Sequence, residues 1–320
     1  MRGRKAPEAI PKVARNAATK QSKKRLLRFA RNDALENDNM KIIDTIPRMS
    51  TLVKMLKKEG KSIGFVPTMG YLHEGHLSLF KTAKKHTDLV VVSIFVNPIQ
   101  FGPKEDIDKY PRDFKRDEEL SRSAGVDVIF YPSEKDMYPE NYKTFVFVEG
   151  LTETLCGISR PGHFKGVTTV VAKLFNIVRP DMAYFGQKDA QQAVIIKKMV
   201  KDLNMDIDVK VLGIVREKDG LAMSSRNVYL SPDERKDAAI LYKSLTKAES
   251  LIKAGERETK KITKMMEETI QKTPTAKIDY ISIVDTGNLK DVNVISGEIL
   301  IALAVFIGKT RLIDNIIVKV

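Results

Sequence analysis

The run Leu-Val-Val-Val-Ser-Ile-Phe-Val at 89–96 narrows the folds open to this chain more than any other feature. A half-buried strand alternates apolar and polar residues, so an almost uninterrupted apolar run asks for cover on both faces. That cover is what a parallel sheet flanked by helices provides. The neighbouring sequence supplies the helices: a face formed by Leu77, Leu79, Phe80 and Ala83 within 76–86, and a charged helix at 113–124. Further strands are read at 61–66, 127–131, 182–185 and 207–215. Helices are read at 51–58, along the stripe Val167, Val170, Val171, Leu174, Phe175 and Val178, and along Ala193, Ile196, Met199, Val200 and Leu203. This alternation predicts an α/β fold, a Rossmann-like doubly wound parallel sheet whose ligands sit beyond the carboxyl ends of the strands. The pattern changes near Val215. Ser231-Pro232-Asp233-Glu234 is a capping box that opens a helix running towards Gly255, and a second charged helix follows at 258–272. Three strands at 278–284, 298–307 and 311–319 then predict a smaller α+β domain with an antiparallel sheet. The expected division is a basic segment at 1–39, a first domain at 40–214 and a second at 215–320.

The formal net charge of +14 raises a nucleic-acid reading, and its distribution limits that reading. Residues 1–39 hold 11 Lys and Arg against 4 Asp and Glu, so half of the excess lies in an eighth of the chain. The rest is only mildly basic, as suits a protein that handles anions. The segment 1–39 is read as a disordered tail or the product of an upstream start codon, with the first domain opening at Met40; a transit segment and a nucleic-acid arm are the alternatives. The single cysteine, Cys156, excludes an intramolecular disulfide and fits a reducing compartment, hence a cytoplasmic setting. The longest apolar run, 299–307, has the length of a strand and falls short of a membrane span.

Two of the four histidines stand three residues apart in PTMGYLHEGH, at 67–76, directly after a predicted strand and where a helix begins. A metal site needs a third or fourth ligand, and neither His86, His163 nor Cys156 is spaced to supply one. An anion fits better, because a helix start presents unpaired N–H groups and the positive end of the helix dipole. Gly70 and Gly75 permit close backbone approach and positive φ. Two solvated turn histidines remain the plain alternative on this segment alone.

His73-Glu74-Gly75-His76 resembles the H-x-G-H signature of the nucleotidyltransferase superfamily related to class I aminoacyl-tRNA synthetases. Met223-Ser224-Ser225-Arg226, about 150 residues downstream, stands where that superfamily carries a second phosphate-binding loop. PTMGYLHEGHLSL, IFVNPIQFGPKEDIDKYPRD, ISRPGHFKGVTTVVAKLFNIVRPDMAYFGQKDAQQ and DGLAMSSRNVYLSP together resemble the pantothenate synthetase (pantoate–β-alanine ligase) family across residues 40–320. Two features depart from the family pattern: Gln187 stands where Glu is usual, and the basic segment 1–39 is foreign to it.

The resemblance implies that (R)-pantoate is adenylated by ATP with release of pyrophosphate, and that the amine of β-alanine then displaces AMP to give pantothenate. It implies an ATP site built from Met69, Gly70, Tyr71, Leu72, His73, Glu74, Gly75 and His76, with His76 in the position assigned as proton donor. Gly186, Gln187, Lys188 and Asp189 would add a point charge for the phosphates and a carboxylate for the ribose or Mg²⁺. Met223, Ser224, Ser225 and Arg226 would close over the phosphates from the second domain, and Val215 would offer its backbone to adenine. Gln100 and Gln192 match the pantoate-binding glutamines, with Gln100 also next to the β-alanine site, and Asn97 joins them at the same strand end. For Asn97, Gln191 and Tyr110 a purely structural role is the competing expectation, and His163 is read as a loop residue at the entrance. Magnesium accompanies the ATP, and the family assembly is a homodimer. Two rival readings stand beside this one. Another adenylyl- or cytidylyltransferase would release pyrophosphate without regard to pantoate, and a nucleic-acid-binding protein would lose its salt-sensitive affinity with residues 1–39.

Overall fold

The computed structural model describes residues 40–320 apart from Lys104; the basic segment 1–39 lies outside the described residues. Six parallel strands, β1 (Lys41–Ile43), β2 (Ile63–Thr68), β3 (Leu89–Ile94), β4 (Val128–Phe130), β5 (Met182–Gly186) and β6 (Asp208–Leu212), form one sheet in the order β1-β4-β3-β2-β5-β6. Val90, Val91 and Val92 in β3 are fully buried, as the apolar run demands. One face of the sheet packs Phe65, Val91 and Phe130 against helices α1 (Ile46–Lys58), α6 (His163–Val178) and α7 (Ala190–Asp202). The other packs Val66, Val90, Val92 and Ile129 against α2 (Glu74–His86) and the end of α3 (Phe114–Ser123). Short α4 (Glu134–Met137) and α5 (Cys156–Ser159) lie in the connection between β4 and α6.

Strand β2 sits between β3 and β5, so the chain leaves its carboxyl end towards one side of the sheet while the later strands build on the other. That reversal opens a crevice beyond the strand ends. The segments after β2 and after β5, which carry two of the motifs expected to meet phosphate, flank it.

The C-terminal part contains α8 (Pro232–Asp237), α9 (Ile240–Lys253), α10 (Thr259–Ile270) and an antiparallel sheet of β7 (Ala276–Asp285), β8 (Glu298–Ile307) and β9 (Thr310–Lys319). Helices α9 and α10 cover one face of this sheet through Leu245, Ile252, Ile262 and Met266. Val284, Leu300 and Ala302 on its other face pack against Leu155 and the start of α7. The single helix expected from Ser231 towards Gly255 is two. At Ala239 and Leu241 the backbone bonds tighten to three-residue spacing, which turns the chain between α8 and α9. Helix α1 begins five residues ahead of its expected start, with Pro47 in the first turn, where a missing N–H costs nothing. The three-residue strand β1 is too short to announce itself in the sequence. Among the described residues no helix is long and apolar enough to cross a membrane.

Candidate active site

The loop from Met69 to His73 leaves β2 and turns into α2 under tight constraint. Gly70 has φ 80°, and a Cβ there would stand 2.9 Å from Asp117 Oδ2 and 3.0 Å from Ile94 Cγ2. Tyr71 follows at φ 51°, a left-handed conformation unfavourable for a bulky residue. Asp117, on α3, offsets that cost: its two carboxylate oxygens accept the N–H groups of Tyr71 and Leu72, both at 2.7 Å. Its side chain is almost wholly buried, and that burial raises the carboxyl pKa against the opposing pull of the two N–H groups. No sequence signal marks this role, because Asp117 reads as one charge among many on a polar helix.

The histidines complete the start of α2 with a reciprocal cap. His73 Nδ1 accepts from Gly75 N at 3.2 Å, and His76 Nδ1 accepts from His73 N at 3.3 Å. Backbone N–H groups only donate, so each neutral ring carries its proton on Nε2 and presents a donor there. Burial, then the facing His76 and Lys188 charges, lower the His73 pKa to about 2; burial and Lys188 lower that of His76 to about 4. Lys188, from the turn after β5, thus stands close enough for its charge to act on both imidazoles.

The downstream motif comes over the same loop. Ser224 caps a short 3-10 turn by accepting from Arg226 N at 3.2 Å, and Ser225 Oγ donates to Tyr71 O at 3.1 Å. Arg226 grips Asp106 in a fork, Nε to Oδ2 at 3.0 Å and Nη2 to Oδ1 at 2.9 Å. Burial works to raise the Asp106 carboxyl, and Arg226 overrides it, holding the group below the usual carboxylate range. The adjacent Glu105 takes Arg160 in a second fork, at 2.8 and 2.6 Å. Residues 105 and 106 thereby tie one segment to two walls of the crevice, and Tyr229 Oη adds a bond to Lys109 O at 2.9 Å.

These elements enclose a cavity of about 230 Å³. Of the expected residues, Met69, His73, Gly75, His76, Gly186, Lys188, Asp189, Val215 and Met223 to Arg226 line it, as do Asn97, Gln100 and Gln192. Gly70, Tyr71, Leu72, Glu74 and Gln187 do not. Leu72 is buried in the core, Glu74 is exposed, and Gln187 bonds instead to Asn315 of β9, at 3.3 Å through its amide and 3.0 Å through its carbonyl. Asn97 is buried with its amide engaged inside the protein, donating to Gln100 Oε1 at 3.0 Å and Gly166 O at 3.1 Å and accepting from Tyr138 at 2.7 Å. Gln191 is a structural residue: buried, it bonds Leu151 O, Thr154 O and Cys156 N. Tyr110 lies in the cavity wall, buried, with its phenol pKa raised by that burial. His163 is the first residue of α6 rather than a loop residue, and it lines the cavity. Its Nδ1 bonds Gln100 O at 2.9 Å and its Nε2 faces Arg160 Nη1 at 3.0 Å, while burial and the Arg160 charge lower its pKa to about 4.

Lys188, Asp189, Gln192 and Arg226 also line an adjacent, larger cleft of about 690 Å³ that reaches Tyr280 and Arg311 on the three-stranded sheet. One end of the combined space is thus cationic and rich in imidazole donors, which suits phosphates. The other offers amides beside Phe95, Val167 and Val171, which suits a small molecule with hydroxyl, carboxylate and methyl groups.

The profile of the family described as pantoate-beta-alanine ligase matches residues 41–317. A pantothenate synthetase from Caldicellulosiruptor saccharolyticus is 60% identical over 281 residues, covering 88% of this chain and 100% of the relative. One from Acetivibrio thermocellus is also 60% identical, with the same coverage. Among solved structures, a pantothenate synthetase from Thermus thermophilus superposes with a TM-score of 0.83 at 43% identity, over 87% of this chain and 99% of its own. A pantoate-beta-alanine ligase from Francisella tularensis, complexed with beta-gamma ATP and beta-alanine, gives 0.71 at 38% identity, over 87% and 97%. With profile, relatives and architecture agreeing across both sheets, the chain belongs to the pantoate-beta-alanine ligase family.

Proposed function

We propose that this chain joins pantoate to β-alanine while converting ATP to AMP and pyrophosphate, with pantoyl adenylate formed and consumed in the one crevice. A carboxylate is a poor acylating agent because its oxygen leaves badly; adenylation makes that oxygen part of AMP. In the first step a pantoate carboxylate oxygen bonds to the α-phosphorus and the bond to pyrophosphate breaks. In the second, the β-alanine nitrogen bonds to the acyl carbon, AMP leaves, and the nitrogen gives up its proton.

The observation that carries this reading is the meeting of two distant polar loops and two glutamines around a single cavity at the strand ends. His73 and His76 offer neutral Nε2–H donors that follow charge onto the departing phosphates, with His76 as proton donor. Arg226 and Lys188 add fixed positive charge, and Ser224 and Ser225 close the loop over it. Gln100 and Gln192 bind pantoate, Gln100 also borders β-alanine, and Asn97 acts by orienting Gln100. Residues 40–214 serve as the ATP- and pantoate-binding domain and 215–320 as a lid.

Magnesium fits as an ion carried on the triphosphate. Among the described residues Asp189 is the one carboxylate lining the narrow cavity, and its side chain caps nothing in α7. One carboxylate with phosphate oxygens is a usual magnesium environment. Bound there, the ion would supply neutralisation of phosphate charge. A homodimer in the cytoplasm completes the proposal; Phe145 and Phe147, 44% and 55% exposed, give it an apolar surface to bury.

The test is AMP release measured with ATP, pantoate and β-alanine, each omitted in turn. AMP formation that needs all three is expected. Pyrophosphate release indifferent to pantoate would favour another nucleotidyltransferase, and salt-sensitive binding lost with residues 1–39 would favour a nucleic-acid role.

A further inference from the structure

Gln100 is clamped from three sides, and the chemistry of the clamp fixes which end of its amide faces the cavity. Gly166 O is a backbone carbonyl and only accepts, so the Asn97 atom 3.1 Å from it is the NH₂ group. The second hydrogen of that NH₂ points at Gln100, 3.0 Å away, where an acceptor must stand: Oε1. Gln100 therefore turns Nε2, a donor, towards Met69 and the cavity. At the other end of Asn97, Oδ1 accepts from the hydroxyl of Tyr138 at 2.7 Å. Burial raises the phenol pKa, which keeps that hydroxyl a donor at neutral pH. The backbone of Gln100 is held too. A Cβ on Gly166 would lie 2.4 Å from Ile99 O and 2.6 Å from Gln100 Cα, so only glycine lets α6 approach this turn, and His163 bonds Gln100 O at 2.9 Å.

We infer that Tyr138, which lines no part of the cavity, is a positioning residue for the substrate acid, acting through Asn97 to hold Gln100 as a hydrogen-bond donor. A donor there binds carboxylate or hydroxyl oxygens and disfavours an ammonium group, so the relay helps to select an acid with hydroxyl oxygens over an amine at this end of the cavity. Without the Tyr138 hydroxyl, Asn97 Oδ1 is left buried and unpaired, a cost that loosens Asn97 and with it the bond that holds Gln100 in place.

The inference rests on the reading of Gln100 as the pantoate ligand. Tyr138→Phe tests it while keeping the ring contacts with Phe95, 6.1 Å, and Tyr142, 5.1 Å between centroids. The KM for pantoate should rise about tenfold, as for one lost polar contact, with the KM for ATP unchanged. In a Gln100→Ala background the same substitution should change the pantoate KM by less than about twofold, because the residue it acts through is gone. A tenfold effect that persists in that background, an equal rise in both KM values, or no rise at all would overturn the relay. A wild-type chain that releases no AMP in response to pantoate would instead overturn the functional reading, and the relay with it.

Discussion

Asp117→Asn tests how the loop between β2 and α2 is held. The carboxylate accepts two N–H groups at 2.7 Å, one on each oxygen, and is 1% exposed. Asparagine keeps one acceptor and turns an NH₂ against the other N–H. A charge-assisted bond contributes roughly 1.5–3 kcal/mol, and relief from burying a charge returns part of that loss. The net destabilisation is about 2 kcal/mol, a drop in Tm of about 3 °C for a chain of this size. The kinetic effect is larger than stability alone requires. Tyr71 at φ 51° stores strain on the order of 1–3 kcal/mol, and the Asp117 bonds hold it against relaxation. A loop that relaxes displaces His73 and His76, and a displacement of about an ångström costs roughly a hundredfold in rate. Thermal unfolding and the ATP dependence of AMP release measure both quantities. A variant with wild-type Tm and wild-type kcat/KM for ATP would refute the argument, as would Asp117→Ala proving milder than Asp117→Asn.

Three further outcomes are expected. His76→Ala lowers kcat for adenylate formation by roughly 100- to 1000-fold with little change in Tm, read by pyrophosphate release, since it removes a donor aimed at developing charge. Arg226→Lys replaces the fork on Asp106 by a single point charge and raises the KM for ATP about tenfold, measured by initial rates. Acid stability follows the histidines. The folded-state pKa values of His76 and His163 are lowered from 6.5 to about 4, so the unfolded chain binds protons first, and their contribution is full above pH 6.5 and lost as pH falls towards 4. Denaturant titrations across that range should show stability falling, and His163→Gln should reduce the slope near pH 5 by about one proton.

Much of the fold could be read from the chain because its signals are local. Uninterrupted burial of β3 follows from Val90 to Val92, and the 3.6-residue stripe of α6 follows from Val167 to Val178. The two phosphate-type motifs are contiguous, so each announces itself within a few residues. What escaped the sequence were the individual side-chain bonds between distant residues that hold these motifs in place. Asp117, Glu105 and Asp106 look like ordinary surface acids until α3 and the segment after Gln100 pack beside the loop between β2 and α2. Tyr138 acquires meaning only where its hydroxyl meets a buried amide 41 positions away. Local patterns determine which elements form, since period and capping depend on neighbours along the chain. Which oxygen accepts, which imidazole nitrogen keeps its proton and which amide end faces the cavity depend on neighbours in space, and those the tertiary structure alone decided.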